Sequence, residues 1–212
     1  MTPFHEGTVR GFLHTPTQPN GKGLVLTHGA GANCNAPLLI EASARFSGAG
    51  FTVLRCDLPF RQRRPFGPPP PATAAQDRDG LRDAVRAMRR LVGGTVTLGG
   101  HSYGGRQSTM LAAEEPGLCD SLLLFSYPLH PPTKQTQLRT AHFPAVQNEA
   151  NFVHGTKDPF GTTEDMEAAL GLIPAKTHLV IIEGAGHDLK KGKFEPGIWE
   201  RILGNVLKQH DC

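Results

Sequence analysis

Closely spaced cysteine pairs are missing from this 212-residue chain. Its four cysteines, Cys34, Cys56, Cys119 and Cys212, lie far apart. A tetrahedral zinc site and a disulfide framework both need tighter spacing, so free thiols in a reducing cytoplasm are expected instead. Long apolar runs are missing too: nothing approaches the roughly 20 residues that span a bilayer. The first residues (MTPFHEGTVRGFLHTP) lack a charged start followed by an apolar stretch, so no secretory signal and no membrane association are expected. Charge of one sign is scarce. The formal net charge is +3, with charged residues at 19%, a mildly basic balance that gives no reason to expect a nucleic-acid partner. Hydrophobic residues at 38% exclude a disordered chain, and the length suits one domain over residues 1–212 with a sizeable core.

What is present is an alternation of short apolar runs with amphipathic ones. Strands are predicted at Gly23–His28, Phe51–Asp57, Thr95–Gly100, Ser121–Ser126, Asn151–Gly155 and His178–Glu183. Each is apolar on both faces, which suits a parallel sheet covered by helices on both sides. Thr8–Leu13 is expected to add an antiparallel edge strand. Helices are predicted at Pro37–Ser47, Asp77–Val92, after Ser102, from Thr162 or Thr163, and over Pro196–Gln209. Repeated strand–helix units of this length imply an α/β fold with a mostly parallel central sheet. The biased stretch Arg61–Pro71 (RQRRPFGPPPP) reads as a stiff surface loop.

One strand-to-helix junction carries a chemical signature. Gly100-His101-Ser102-Tyr103-Gly104 reads G-x-S-x-G. A serine at such a sharp turn sits in a strained backbone, and residues two before and two after it crowd neighbouring chain, so Gly100 and Gly104 are required there. A tight turn whose serine only caps the helix is the plain alternative. A serine hydroxyl needs a base. Among ten histidines, His187 lies in Gly184-Ala185-Gly186-His187, just after the last strand, where sites form at the carboxyl ends of a parallel sheet. His101 adjoins Ser102 and is expected to point away, while His130 and His142 remain loop alternatives. The base needs an orienting acid, and the chain order serine, acid, histidine leaves Asp120, Asp158 and Asp165. Asp120 precedes its strand and Asp165 opens a helix, which favours Asp158, in His154-Gly155-Thr156-Lys157-Asp158-Pro159. Backbone donors for an oxyanion are expected from the amides of Tyr103 and of Ala30, the latter in His28-Gly29-Ala30-Gly31-Ala32. His28 is expected to anchor that loop.

These segments resemble the α/β-hydrolase superfamily in order and spacing, from about Lys22 to Leu207. The compact branch similar to dienelactone hydrolase is the nearest in appearance. Leu122–Pro132 (LLLFSYPLHPP), QLRTAHFP and HGTKDPFG resemble a sub-family that includes a testis-expressed protein and a subunit of the NSL chromatin complex. The resemblance implies a single-domain α/β-hydrolase fold without a cap domain, a Ser102–His187–Asp158 triad, and a serine esterase of small acyl compounds that requires neither metal nor organic cofactor. Dienelactone hydrolases carry cysteine at the nucleophile position, where this chain has Ser102.

The short segment between Ser126 and Asn151, with Pro128, Pro131 and Pro132 near its start, predicts an open, shallow pocket walled by Phe60, Tyr127 and Phe143. Arg61, Arg63 and Arg64 follow a strand whose end faces the site. They are candidates for attracting an anionic substrate group, although a solvated basic loop explains them more simply. Arg106 is expected to hold loops together by hydrogen bonds. Two further functions compete. A non-catalytic interaction module on the same fold would have no need of all three triad groups. A dinucleotide site at Gly29–Cys34 lacks the third small residue of its motif, and Asp57 lies too far along to serve as the ribose-binding acid.

Overall fold

The computed structural model describes residues 1–189 and 197–208. Among these, eight strands form one sheet: β1 (Thr2–Glu6), β2 (Val9–His14), β3 (Gly23–Thr27), β4 (Thr52–Cys56), β5 (Val96–His101), β6 (Ser121–Phe125), β7 (Glu149–Gly155) and β8 (Thr177–Ile182). Their order is β1-β2-β4-β3-β5-β6-β7-β8. From β4 to β8 every pairing is parallel, while β1 and β2 pair antiparallel with each other and β2 pairs antiparallel with β4. The helices are α1 (Pro37–Gly48), α2 (Pro59–Arg63), α3 (Ala74–Leu91), α4 (Tyr103–Glu114), α5 (Thr163–Leu170) and α6 (Ile198–Lys208). The fold is a single-domain α/β fold with a mostly parallel sheet, helices on both faces and no cap.

Side chains alternate across the sheet with period two. Leu122 and Leu124 of β6 enter one core, with Leu81, Val85 and Met88 of α3, Leu111 of α4 and Met166 of α5. Leu123 and Phe125 enter the other, with Leu39 and Phe46 of α1 and Trp199, Ile202 and Val206 of α6. Both faces of a central strand are therefore buried, which is why these runs read as continuously apolar. Each fully buried Leu or Phe contributes about 1.5–3 kcal/mol of transfer free energy.

Several boundaries differ from the sequence reading. Thr8–Leu13 does form an antiparallel strand, shifted to Val9–His14, but β1 is the edge. A two-residue turn with Gly7 at φ +55° folds β1 back on β2. β1 is mostly exposed and lacks apolar alternation, so only its pairing defines it. α3 begins three residues before Asp77, after a 3₁₀ turn at Pro71–Thr73. α2 breaks the stretch read as loop from Arg61. α5 starts from Thr162, whose hydroxyl accepts from the Asp165 amide while the Asp165 carboxylate accepts from the Thr162 amide. Pro196 and Gln209, the expected ends of α6, and Cys212 lie outside the described residues.

The chain leaves β3 toward β4 on one side and leaves β5 toward β6 on the other. The loops after β3 and β5 thus diverge at a topological switch point, and a crevice opens at the carboxyl ends of these strands.

Candidate active site

Ser102 follows β5 and caps α4 with φ 51° and ψ −115°, a left-handed conformation that a non-glycine residue adopts only under constraint. The constraint comes from packing. A Cβ on Gly100 would lie 2.5 Å from the Thr27 carbonyl oxygen, and one on Gly104 would lie 2.6 Å from the His28 carbonyl oxygen. Bare backbone at both positions lets the turn press against β3. Gly99 is tighter still: its Cβ would meet the Leu123 carbonyl oxygen at 1.9 Å. The Ser102 amide donates to the Phe125 carbonyl (2.9 Å), tying the turn to β6.

The Ser102 hydroxyl donates to Nε2 of His187 at 2.7 Å. On the other side of that ring Nδ1–H donates to Asp158, 2.8 Å from Oδ2 and 3.0 Å from Oδ1. This bond fixes the tautomer and leaves the Nε2 lone pair facing the serine. The Asp158 side chain is fully buried, and Oδ1 also accepts the Phe160 amide at 2.9 Å. The Phe160 ring lies 4.1 Å from the His187 ring, centroid to centroid, and fixes its plane. Three side chains from the ends of β5, β7 and β8 thus meet in a line, an arrangement able to move a proton from hydroxyl to imidazole.

Two loops frame the serine. Among the described residues, the amides of Ala30 and Tyr103 donate to no protein acceptor, and the start of α4 adds its positive end. His28 anchors the first loop: Nδ1–H donates to the Gly29 carbonyl at 2.9 Å, and Nε2 accepts the Leu58 amide at 3.1 Å. Burial lowers the His28 pKa, which matches a ring that accepts at Nε2. Arg61 departs from both readings offered for it. It is buried, and its guanidinium donates to the carbonyls of Ala30 (2.7 Å), Arg64 (2.9 Å) and Gly67 (3.0 Å). It is neither solvated nor free to take a substrate anion; it clamps the Ala30 loop to α2 and the proline-rich segment.

The expected aromatic wall is also revised. Phe60, Tyr127 and Phe143 are buried. Phe60 packs edge-on to Tyr103, and Tyr127 packs tilted against Phe143 and edge-on to Phe152 while its hydroxyl donates to the Arg139 carbonyl at 2.7 Å. The cavity beside Ser102, of about 510 Å³, is walled instead by Pro69–Pro71, Met110, Pro128, Phe160 and the side chains of Arg106 and Arg139. The proline-rich segment is therefore part of the site.

Asp120 accepts the Val96 amide and pairs with Arg89 at the opposite end of the sheet. His142 bonds Thr109 and His130 bonds the Pro131 carbonyl, so neither meets Ser102. His101 reaches the His187 carbonyl at 2.7 Å. Asp77, absent from the sequence reading as a site residue, accepts the Tyr103 hydroxyl (2.8 Å) and the Phe60 amide (2.9 Å), with its pKa raised by burial. Its position in the first turn of a helix gave no signal of that role.

The fold matches solved structures over nearly its full length. Est1E from Butyrivibrio proteoclasticus, solved with ferulic acid bound, aligns with TM-score 0.78 at 17% identity, covering 99% of both chains. A serine hydrolase without a lid from Xanthomonas campestris aligns with TM-score 0.72 at 16% identity, covering 96% of this chain and 90% of its own. A dienelactone hydrolase from Anabaena variabilis aligns with TM-score 0.69 at 20% identity, covering 99% and 97%. A family model described as an alpha/beta hydrolase domain matches residues 20–210, and by that match over most of its length the chain belongs to the alpha/beta hydrolase family.

Proposed function

We propose that this protein is a serine esterase that cleaves small ester, thioester or related acyl substrates through an acyl-enzyme intermediate. The observation that carries the reading is the 2.7 Å bond from the Ser102 hydroxyl to His187 Nε2, with Asp158 on the far nitrogen of the same ring. In the first step the Ser102 oxygen attacks the substrate carbonyl carbon while His187 Nε2 takes its proton. The negative charge on the carbonyl oxygen is held by the amides of Ala30 and Tyr103. Asp158 stabilises the imidazolium and keeps its carboxylate unprotonated. The tetrahedral species collapses, and His187 gives the proton to the leaving alcohol or thiol. Water then attacks the acyl-serine with His187 again as base, releasing the acid and restoring the hydroxyl.

The placement in the branch with the testis-expressed protein and the NSL subunit is supported by Leu122–Pro132 and by His154–Gly161. A cytoplasmic location is supported by Cys34, Cys56 and Cys119, all buried free thiols. Among the described residues no helix is long and apolar enough to cross a membrane.

Labelling with a broad fluorophosphonate probe tests the reading. The native protein is expected to label at one serine and the Ser102→Ala protein not at all. A native protein that neither labels nor cleaves short nitrophenyl esters would favour an interaction module built on the same fold.

A further inference from the structure

Arg106 is charged and, among the described residues, has no acidic partner. Other arginines on this side of the sheet are matched: Arg78 meets Glu114, Arg82 meets Asp79 and Glu115, and Arg89 meets Asp120. Among the described residues the Arg106 guanidinium makes no hydrogen bond or ion pair, and its Nε is buried without an acceptor. The loop-holding role expected for it from the sequence is taken by Arg61.

Arg139 lines the same cavity. Among the described residues its guanidinium meets only the Pro128 carbonyl, at 3.3 Å. Burial and then the nearby Arg106 charge lower its pKa. Two half-buried cations thus share one cavity, and among the described residues no Asp or Glu lines it. A third donor stands on the same wall. Gln107 is fully buried; its Oε1 accepts from Arg78 at 3.0 Å, which fixes the amide orientation and leaves Nε2 without an acceptor. Uncompensated buried charge is costly, and like charges close together add to the cost. An anion bound between the arginines removes both penalties, and a guanidinium fork matches a carboxylate in two hydrogen bonds.

Arg106 lies four residues after Ser102, and its amide donates to the Ser102 carbonyl at 2.9 Å. Ser102 and Arg106 both line the same cavity. The cation is therefore a short chain of atoms from the carbon that Ser102 would attack. Between them the walls are apolar: Met110, Pro128 and Phe160. The cavity volume of about 510 Å³ lies within the usual range for small-molecule sites, about 300–1,000 Å³.

We propose that the substrate carries a carboxylate joined by a short apolar or aromatic stem to the scissile acyl group, and that Arg106 and Arg139 bind that carboxylate. This rests on the serine-esterase reading and narrows it to half-esters and half-thioesters of dicarboxylic acids. The carboxylate forms and breaks no covalent bond; it places the ester carbonyl over Ser102.

The test compares the nitrophenyl half-ester of glutaric acid with the neutral nitrophenyl pentanoate. The native protein is expected to show kcat/KM at least tenfold higher for the charged ester, and Arg106→Met to reduce that ratio at least tenfold. Arg139→Met reduces it in the same direction, and Arg106→Lys restores it only in part, with thermal melts checking that each variant is folded. In parallel, calorimetry measures monomethyl glutarate binding to the Ser102→Ala protein, with and without Arg106→Met. Cleavage of the neutral ester with no preference for the charged one, or a ratio unmoved by Arg106→Met, overturns the carboxylate proposal and leaves the esterase reading standing. If neither ester is cleaved and no serine labels, the esterase reading fails. The binding measurement then decides the anion site alone, and absence of binding overturns it.

Discussion

The imidazole of His101 holds the backbone of His187: its Nε2–H donates to the His187 carbonyl at 2.7 Å, and the two rings stand 5.2 Å apart. The residue before Ser102 therefore fixes the loop that brings in the partner of Ser102. Burial pushes the His101 pKa down to about 4, so the ring is neutral at pH 7 and keeps its proton on Nε2. An unfolded histidine titrates near 6.5. Between these values the unfolded chain binds more protons, so stability is fully present above about pH 6.5 and is lost as pH falls toward 4. His14 and His142, also lowered to about 4 mainly by burial, add to the same loss. Urea denaturation at pH 7 and pH 4.5 is expected to show a marked fall in stability. In His101→Gln that fall shrinks by roughly 2 kcal/mol, one histidine's share. An equal fall in both proteins would mean that His101 titrates normally.

Asp158→Asn tests the orienting acid. The amide oxygen can still accept the Phe160 amide, so the loop is expected to keep its shape. The Asn NH₂ group cannot accept from Nδ1–H, so the imidazole is driven to the wrong tautomer. Turnover of short nitrophenyl esters is expected to fall on the order of 10³–10⁴-fold, with the melting temperature little changed. A loss below tenfold would point to another acid.

The sheet and the Ser102–Asp158–His187 line were legible for a shared physical reason. Strands buried on both faces must be apolar throughout, and a serine on a strained turn requires glycines two residues to either side. Asp158 and His187 followed from where strands end. What the sequence hid depends on tertiary direction. Arg61 sits in a basic, proline-rich run whose composition suggests solvent, yet three backbone carbonyls draw its guanidinium inward. Phe60, Tyr127 and Phe143 are as apolar as the true wall residues, and only packing separates the two sets. Phe160 follows the Asp158–Pro159 turn, and nothing in its neighbours announces a ring stacked on His187. β1 escaped because exposed edge strands carry no apolar alternation.

Arg61→Lys is expected to behave almost like Arg61→Met. A lysine is a point donor and cannot span the carbonyls of Ala30, Arg64 and Gly67 with one planar fork. Loosening the Ala30 loop would unfix the amide proposed to hold the oxyanion. The expected loss is in kcat, about 10–100-fold, with a smaller change in KM. Steady-state kinetics with a neutral ester decides the point: a lysine variant with native kcat would show that the clamp is dispensable.

Two glycines are expected to respond to alanine in opposite directions. At Gly104 a new Cβ would lie 2.6 Å from both the His28 carbonyl oxygen and Thr27 Cγ2, so β3 or α4 must move. Overpacking of this kind costs about 1–3 kcal/mol, and here it also displaces the Ser102 turn and the Tyr103 amide. Gly204, inside α6, has nothing within 4 Å of such a Cβ. Alanine there meets no clash and removes the backbone entropy that glycine loses on folding, a gain of about 0.5–1 kcal/mol. Thermal melts of Gly104→Ala and Gly204→Ala should therefore shift down and up respectively. Fluorophosphonate labelling is expected to slow only in the first. A Gly104→Ala protein with native stability and labelling rate would show that the turn has room the structure does not give it.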